Sequence, residues 1–155
     1  MLSNSAKKMN IEQLNFECLA FRNAILKSDR DKLSVALKEF PSGSCGCCKD
    51  LLLYHFKKIN FPNIQYIYDV SAVTYGYMDK IITHGWLKID DIIIDLTISQ
   101  FDKRFKKVIF DNDRWHRKFK IKSKIAYCSL ESLEGDNYTN LISDYCEIMK
   151  NYKVL

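Results

Sequence analysis

An α+β fold, with helices first, an antiparallel sheet after them and one closing helix, is the class this sequence predicts. Three observations carry it. Apolar residues recur at helical spacing up to about Ile59, the period drops to two after Phe61-Pro62-Asn63, and a helical period returns at Asp136. At 155 residues the chain has the length of one domain with a sizeable core. No internal repeat, low-complexity tract or linker divides it, so residues 1–155 are read as a single domain.

From Asn10 to Lys27, Ile11, Leu14, Phe16, Leu19, Ile25 and Leu26 predict a first helix. Asp29 or Asp31 is a candidate cap for a second, short helix through Leu33, Val35, Ala36 and Leu37. Phe40-Pro41 ends it, because the residue before a proline is disfavoured in helical geometry. Ser42-Gly43-Ser44 reads as a tight polar loop, and a third helix from about Cys45 to Ile59 turns Cys48, Leu51, Leu52 and Phe56 inward. Ile64 to Val70 with Ala72 to Tyr75 predicts a bulged strand. Ile81 to Ile89 and Ile92 to Thr97 predict a hairpin turning at Asp90-Asp91, with later strands at Val108 to Phe110 and Phe119 to Tyr127. Asp136 to Tyr152 predicts the closing helix, with Tyr138, Leu141, Ile142, Tyr145 and Met149 on one side.

Composition narrows the function classes. With 47% hydrophobic and 13% aromatic residues the chain is a folding sequence rather than a disordered one. No apolar run reaches the roughly 18 residues of a membrane span, and no apolar signal core follows Met1 to Lys8. The expectation is a cytoplasmic protein, with signal-independent secretion left open. Six cysteines in a chain of this length, without a secretory signal, do not predict a disulfide framework. Cys18, Cys128 and Cys146 sit in apolar patterns and are expected as buried thiols, whereas Cys45, Cys47 and Cys48 cluster at a loop–helix junction. No second cysteine or histidine pair stands at zinc-ligand spacing, and His55, seven residues after Cys48, lacks a nearby fourth ligand; no metal is expected.

The net charge of +5 is unevenly spread. Residues 103–124 hold ten Lys or Arg against two Asp, a local +8 that leaves −3 for the rest. Interleaved with Phe105, Phe110, Trp115 and Phe119, this segment has the composition of a surface for nucleic acid or an acidic protein. Alternation through Lys118-Phe119-Lys120-Ile121-Lys122 favours amphipathic strands with a solvated lysine face.

Three residues carry candidate chemistry. Cys45 stands where a polar loop enters a helix, and His84 and Asp95 stand on the two arms of the predicted hairpin. With Asp90-Asp91 as a two-residue turn, Ile89 opposes Ile92, and His84 and Asp95 become diagonal neighbours on one face, roughly 7 Å apart at the backbone. A register with Lys88 opposite Asp91 keeps them on one face too; a slip of one residue separates them. A helix N-terminus and an adjacent imidazolium can bring a thiol from about 8.5 down to about 3–4. Cys45 would then attack a carbonyl carbon, His84 would move the proton, and Asp95 would fix the ring. The Cys45 N–H is the natural first oxyanion donor; the second is open. Individually these residue types are more often an inert thiol, a satisfied strand histidine and a strand-ending aspartate. Gln100, Cys48, Trp86 and His116 are secondary candidates: Gln100 for a bond near the site or a loop cap, Trp86 for covering His84, and His116 for substrate contact or a plain surface position.

Phe40-Pro41-Ser42-Gly43-Ser44-Cys45-Gly46, His84-Gly85-Trp86 and Ile94-Asp95-Leu96-Thr97-Ile98-Ser99-Gln100-Phe101 resemble a group of small bacterial proteins with F-P-x-G-x-C-G, H-A-W and I-D-I-T-A-D-Q-F. Those are grouped with the papain-like and transglutaminase-like cysteine hydrolases. The likeness spans roughly residues 20 to 120. It implies a papain-like fold with the nucleophile at a helix start, a Cys-His-Asp triad and no cofactor. It also implies an amide-bond hydrolase, as peptidase, amidase or protein-glutamine deamidase, acting on a protein or peptide substrate. An acidic surface on that substrate would suit the basic segment; nucleic acid is disfavoured and no membrane is involved. The alternative is a non-catalytic module docking an acidic protein or nucleic acid through residues 103–124. Three places depart from the pattern: Cys47-Cys48-Lys49 where an acidic and then small residues are expected, Gly85 for alanine, and Ile98-Ser99 for A-D. Papain's C-G-S-C-W would make Cys48 the nucleophile. Cys45 is preferred because it aligns with F-P-x-G-x-C-G and sits at the loop-to-helix switch, whereas Cys48, one turn on, is placed to face the core.

Overall fold

The computed structural model describes residues 10–111, 113–126 and 136–153, and every structural statement below concerns these. The expectations placed on Met1 to Lys8, Tyr127, Cys128 and the Tyr138 side chain lie outside them. The elements run α1 Ile11–Lys27, α2 Val35–Lys38, α3 Cys45–Lys58, β1 Tyr68–Tyr75, β2 Ile81–Ile89, β3 Ile92–Ile94, β4 Ile109–Asp111, β5 Lys120–Ala126 and α4 Asp136–Met149. The class is mixed α+β: four helices and a five-stranded antiparallel sheet in the order β4-β3-β2-β1-β5.

Local chemistry explains most boundaries. Asn10 caps α1 by accepting the Gln13 N–H. Asp29 caps only a single 3-10 turn, Arg30–Lys32; the α2 helix starts one step later after Ser34, whose N–H and hydroxyl both donate to Asp144 of α4. The hairpin forms in the two-residue register, Ile89 opposite Ile92, with Asp90 at a φ of +49° in the turn. The bulge expected in β1 is corrected: β1 pairs with β2 without a break, and the extra residue is Lys122 of β5, between the Ser71–Ser123 and Ala72–Ile121 pairs. Two further expectations are corrected here. Residues 64–66 form a 3-10 turn behind the left-handed Asn63, so the strand begins at Tyr68. Strand β3 ends at Ile94 rather than Thr97, because the Asp95 side chain accepts the Thr97 N–H and turns the chain.

The period-two pattern divides the core between the two sheet faces. Leu87, Ile89 and Ile94 face α1, α3 and α4, meeting Leu14, Phe21, Ile25, Leu51, Leu52, Phe56 and Ile148. Each such fully buried side chain contributes about 1.5–3 kcal/mol. Val70, Ala72, Trp86 and Ile93 face the other way, under Ile98, Phe110 and Phe119. Cys18 and Cys48 are buried as expected, but Cys146 is exposed: the inward face of α4 runs through Leu141, Asp144 and Ile148, and Cys146 is turned away from it. His55, considered above as a lone metal ligand, is buried between α1 and α4, its Nδ1 2.9 Å from the Tyr145 hydroxyl and its Nε2 3.3 Å from Glu17.

Candidate active site

The loop before Cys45 is built to leave a helix end uncapped. Gly43 takes a φ of +65°, which a glycine adopts without strain, and the chain turns there into α3. Ser44 occupies the N-cap position without using its side chain as a cap; its hydroxyl donates to the Ala36 and Ser42 carbonyls instead. The first N–H groups of α3, at Cys45 and Gly46, therefore meet no side-chain acceptor and stand at the positive end of the helix dipole. A Cβ at Gly46 would meet nothing within 4 Å, so the space beside Cys45 is open. Cys45 itself is half-buried.

His84 and Asp95 meet as the register requires. His84 Nε2 lies 2.7 Å from Asp95 Oδ2, with the residues only 3% and 1% exposed. Asp95 Oδ1 accepts the Thr97 N–H at 3.0 Å and the Thr97 hydroxyl at 3.3 Å. The other ring nitrogen, His84 Nδ1, is buried and has no formed hydrogen bond; with Nε2 committed to Asp95, it is the atom left for the Cys45 sulfur. That contact is looser than a closed bond, as is common before substrate tightens a site. Four rings wall the imidazole, with centroids at 4.8 Å (Phe101), 5.8 Å (Trp86), 5.9 Å (Trp115) and 6.0 Å (Phe119).

The electrostatics run in one direction. Interaction with His84 lowers the Cys45 thiol below its ordinary value against the opposing effect of burial, helped by the Gly85 N–H and the Lys49 charge. Burial would lower His84, but Asp95 and Cys45 outweigh it and raise the ring to about 9. Burial would likewise raise Asp95, yet hydrogen bonds from His116 and His84 hold it below the usual carboxylate range. The neighbouring thiols go the other way: burial pushes Cys47 up to about 12 and Cys48 well above its ordinary value. These directions favour the charged forms of Cys45, His84 and Asp95 together, and the neutral thiol at Cys47 and Cys48.

Of the secondary candidates, Gln100 accepts the Gly43 N–H through Oε1 at 3.2 Å, tying the segment after Asp95 to the loop before Cys45. Trp86 covers His84, and Cys48 faces the core. The surface position weighed for His116 is corrected: it is 2% exposed, with Nε2 2.9 Å from Asp95 Oδ2 and Nδ1 2.8 Å from Asp113 Oδ1. Asp95 thus anchors two imidazoles. Sequence reasoning named His116 but not its bond to Asp95, and it passed over Asp113, Thr97 and Lys49. The local signals were Asp95-x-Thr97 and Asp113-x-x-His116, spacings at which an aspartate bonds nearby backbone N–H groups. Of the aromatic rings of the basic segment, Phe110 and Phe119 are buried beside the site, but the alternation expected through residues 118–122 does not carry on inward, Ile121 being 47% exposed on β5.

His84, Asp95 and His116 bring ligand-type atoms within 4.8 Å of one another and could in principle hold a metal ion. Here the two Nε2 atoms lie 2.7 and 2.9 Å from one shared oxygen, Asp95 Oδ2, as hydrogen-bond partners. In comparisons with protein-family models, curated proteins and solved structures, none matches this chain.

Proposed function

We propose that this chain is a cysteine-dependent hydrolase of amide bonds, of papain-like arrangement, with Cys45 as nucleophile, His84 as proton carrier and Asp95 as its anchor. The observation that supports this most is the division of His84: Nε2 held by Asp95, and a buried Nδ1 with no partner other than the half-exposed thiol at an uncapped helix start. A merely structural histidine has no reason to leave one ring nitrogen unsatisfied in an aromatic box.

In the resting pair the sulfur is thiolate and His84 carries protons on both nitrogens. The thiolate attacks the carbonyl carbon, and the oxyanion is received by the Cys45 N–H at the helix start. His84 Nδ1–H protonates the leaving nitrogen, the C–N bond breaks, and a thioester with Cys45 remains. Water then attacks the thioester, giving its proton to Nδ1; the C–S bond breaks and the carboxylic acid leaves. Throughout, Asp95 stays ionised and holds the ring, itself held by Thr97 and His116. The substrate is a protein or peptide amide, and the setting is cytoplasmic; among the described residues no helix is long and apolar enough to cross a membrane. The alternative, a docking module built on residues 103–124, has less support, because the segment's buried rings are committed to the site.

The test is alkylation with iodoacetamide at pH 6, read residue by residue by mass spectrometry. Cys45 is expected to react fastest of the six cysteines, and His84→Ala to remove its advantage; equal labelling of the exposed cysteines would overturn the reading. Incubation with candidate proteins then separates the chemistries: a gain of about one dalton marks deamidation, fragments mark proteolysis and cross-links mark acyl transfer.

A further inference from the structure

Beside the nucleophile loop lies a cavity of about 380 Å³, lined by Arg22, Ser42, Ser99, Gln100, Lys103 and Lys106 among others. Its frame belongs to the site. Ser42 lies three residues before Cys45, Ser99 four residues after Asp95, and the Gln100–Gly43 bond joins the two rims. Arg22 comes from α1 and is partly buried. Its Nε donates to the Leu96 carbonyl at 3.2 Å and its Nη2 to the Ser99 hydroxyl at 3.0 Å, which fixes the guanidinium plane at the cavity wall.

The wall has positive charge and no negative charge. Among the described residues, no carboxylate lies within ion-pair distance of Arg22, Lys103 or Lys106. The acid of the same segment, Asp102, is taken up by Arg104 at 2.6 Å. A half-buried guanidinium with neutral partners only has lost part of its hydration without gaining a counter-charge, and burial pulls its pKa down accordingly. Its fixed fork suits the planar or tetrahedral oxygens of an anion.

We infer that this cavity is an anion-binding subsite, which takes an acidic side chain of the substrate next to the bond presented to Cys45. The inference rests on the hydrolase reading only in assigning that anion to the substrate. A carboxylate and a phosphate share the required chemistry, and the test separates them.

The test is a titration of the ¹⁵N-labelled full chain with N-acetylglutamate methylamide, N-acetylphosphoserine methylamide and N-acetylglutamine methylamide, followed by NMR at the Arg22 Nε–H and the Ser99 amide. Saturable shifts are expected with the glutamate or the phosphoserine compound, binding about tenfold tighter than the glutamine compound. The stronger of the two names the source of the anion. Lys103→Ala with Lys106→Ala is expected to weaken binding about fivefold or more, while Lys120→Ala with Lys122→Ala, the same charge change on β5, leaves it within about twofold. No saturable shift at Arg22 and Ser99, no preference over glutamine, or equal weakening by both double variants would overturn the subsite. Binding is read in Cys45→Ser as well as in the natural chain. Failure of Cys45 chemistry would therefore count against the hydrolase reading and leave the subsite intact.

Discussion

Lys49 lies one turn along α3 from Cys45, and its ammonium fills the place a side chain at residue 85 would take. A Cβ on Gly85 would fall 2.6 Å from Lys49 Nζ and 3.2 Å from the Val70 carbonyl. Lys49 and Gly85 therefore depend on one another: the ammonium has its place because residue 85 carries no side chain. The ammonium is paired with Asp69 at 2.5 Å, almost shielded from solvent, and its charge helps to lower the Cys45 thiol. Lys49→Met is expected to raise the pH at which Cys45 becomes reactive and to slow its alkylation at pH 6 by about two- to fivefold. Gly85→Ala, which displaces the flexible end of Lys49 without removing its charge, shifts the profile the same way by less. An unchanged pH profile in Lys49→Met would show that the ammonium serves packing alone.

At the scale of elements, α3 does two jobs: one end presents Cys45, and its inward face, with Leu51, Leu52 and Phe56, anchors the core. Those duties put acidic residues under strain. Burial, and then the neighbouring Asp69, push Asp50 up to about 6 from 3.8, against the opposing pull of Lys49. Between those values the folded chain binds more protons than the unfolded one, so this group's effect is a loss of stability as pH rises from about 4 to about 6, constant above. Asp50→Asn removes the penalty. Thermal unfolding is expected to show the variant more stable by about 1–2 kcal/mol at pH 7.5, after allowance for solvent screening, and no gain near pH 3.5. A gain of equal size at both pH values would rule out titration of Asp50 as the cause.

For the molecule as a whole, the candidate pair leaves a signature in stability against pH. A histidine raised to about 9 contributes stability that is fully present below about 6.5 and is lost as pH rises through 9. A depressed thiol has the opposite slope: its contribution is present above its unfolded value of 9.0 and is lost as pH falls through its folded value. Above both about 6.5 and the folded value of the thiol, and below about 9, one proton is held by the folded pair and one by the separated groups, so the two slopes cancel there. The melting temperature of the natural chain is expected to show no dependence on this pair in that interval. Cys45→Ser, which keeps only the histidine slope, should lose stability relative to the natural chain as pH rises across it. Parallel melting curves for the two proteins would mean that thiol and imidazole are not coupled.

Much of this arrangement was legible in the residues. Periodicity placed the helices and the hairpin, because a buried face must repeat at 3.6 or at 2 whatever packs on it. The two-residue Asp90-Asp91 turn determined the register, and with it that His84 and Asp95 share a face. The loop with Gly43 placed Cys45 at a helix start. Local rules could not reach contacts between residues distant in sequence. That His116 is buried against Asp95, that Cys146 faces solvent, that Lys49 occupies the space above Gly85, and that Arg22 meets Ser99 across 77 positions were decided only when the layers packed. Sequence by itself determined which residues could carry the chemistry, since short-range spacing governs which side chains share a face. Tertiary structure alone decided their partners and charges, since burial and long-range contact set the electrostatic surroundings of each group.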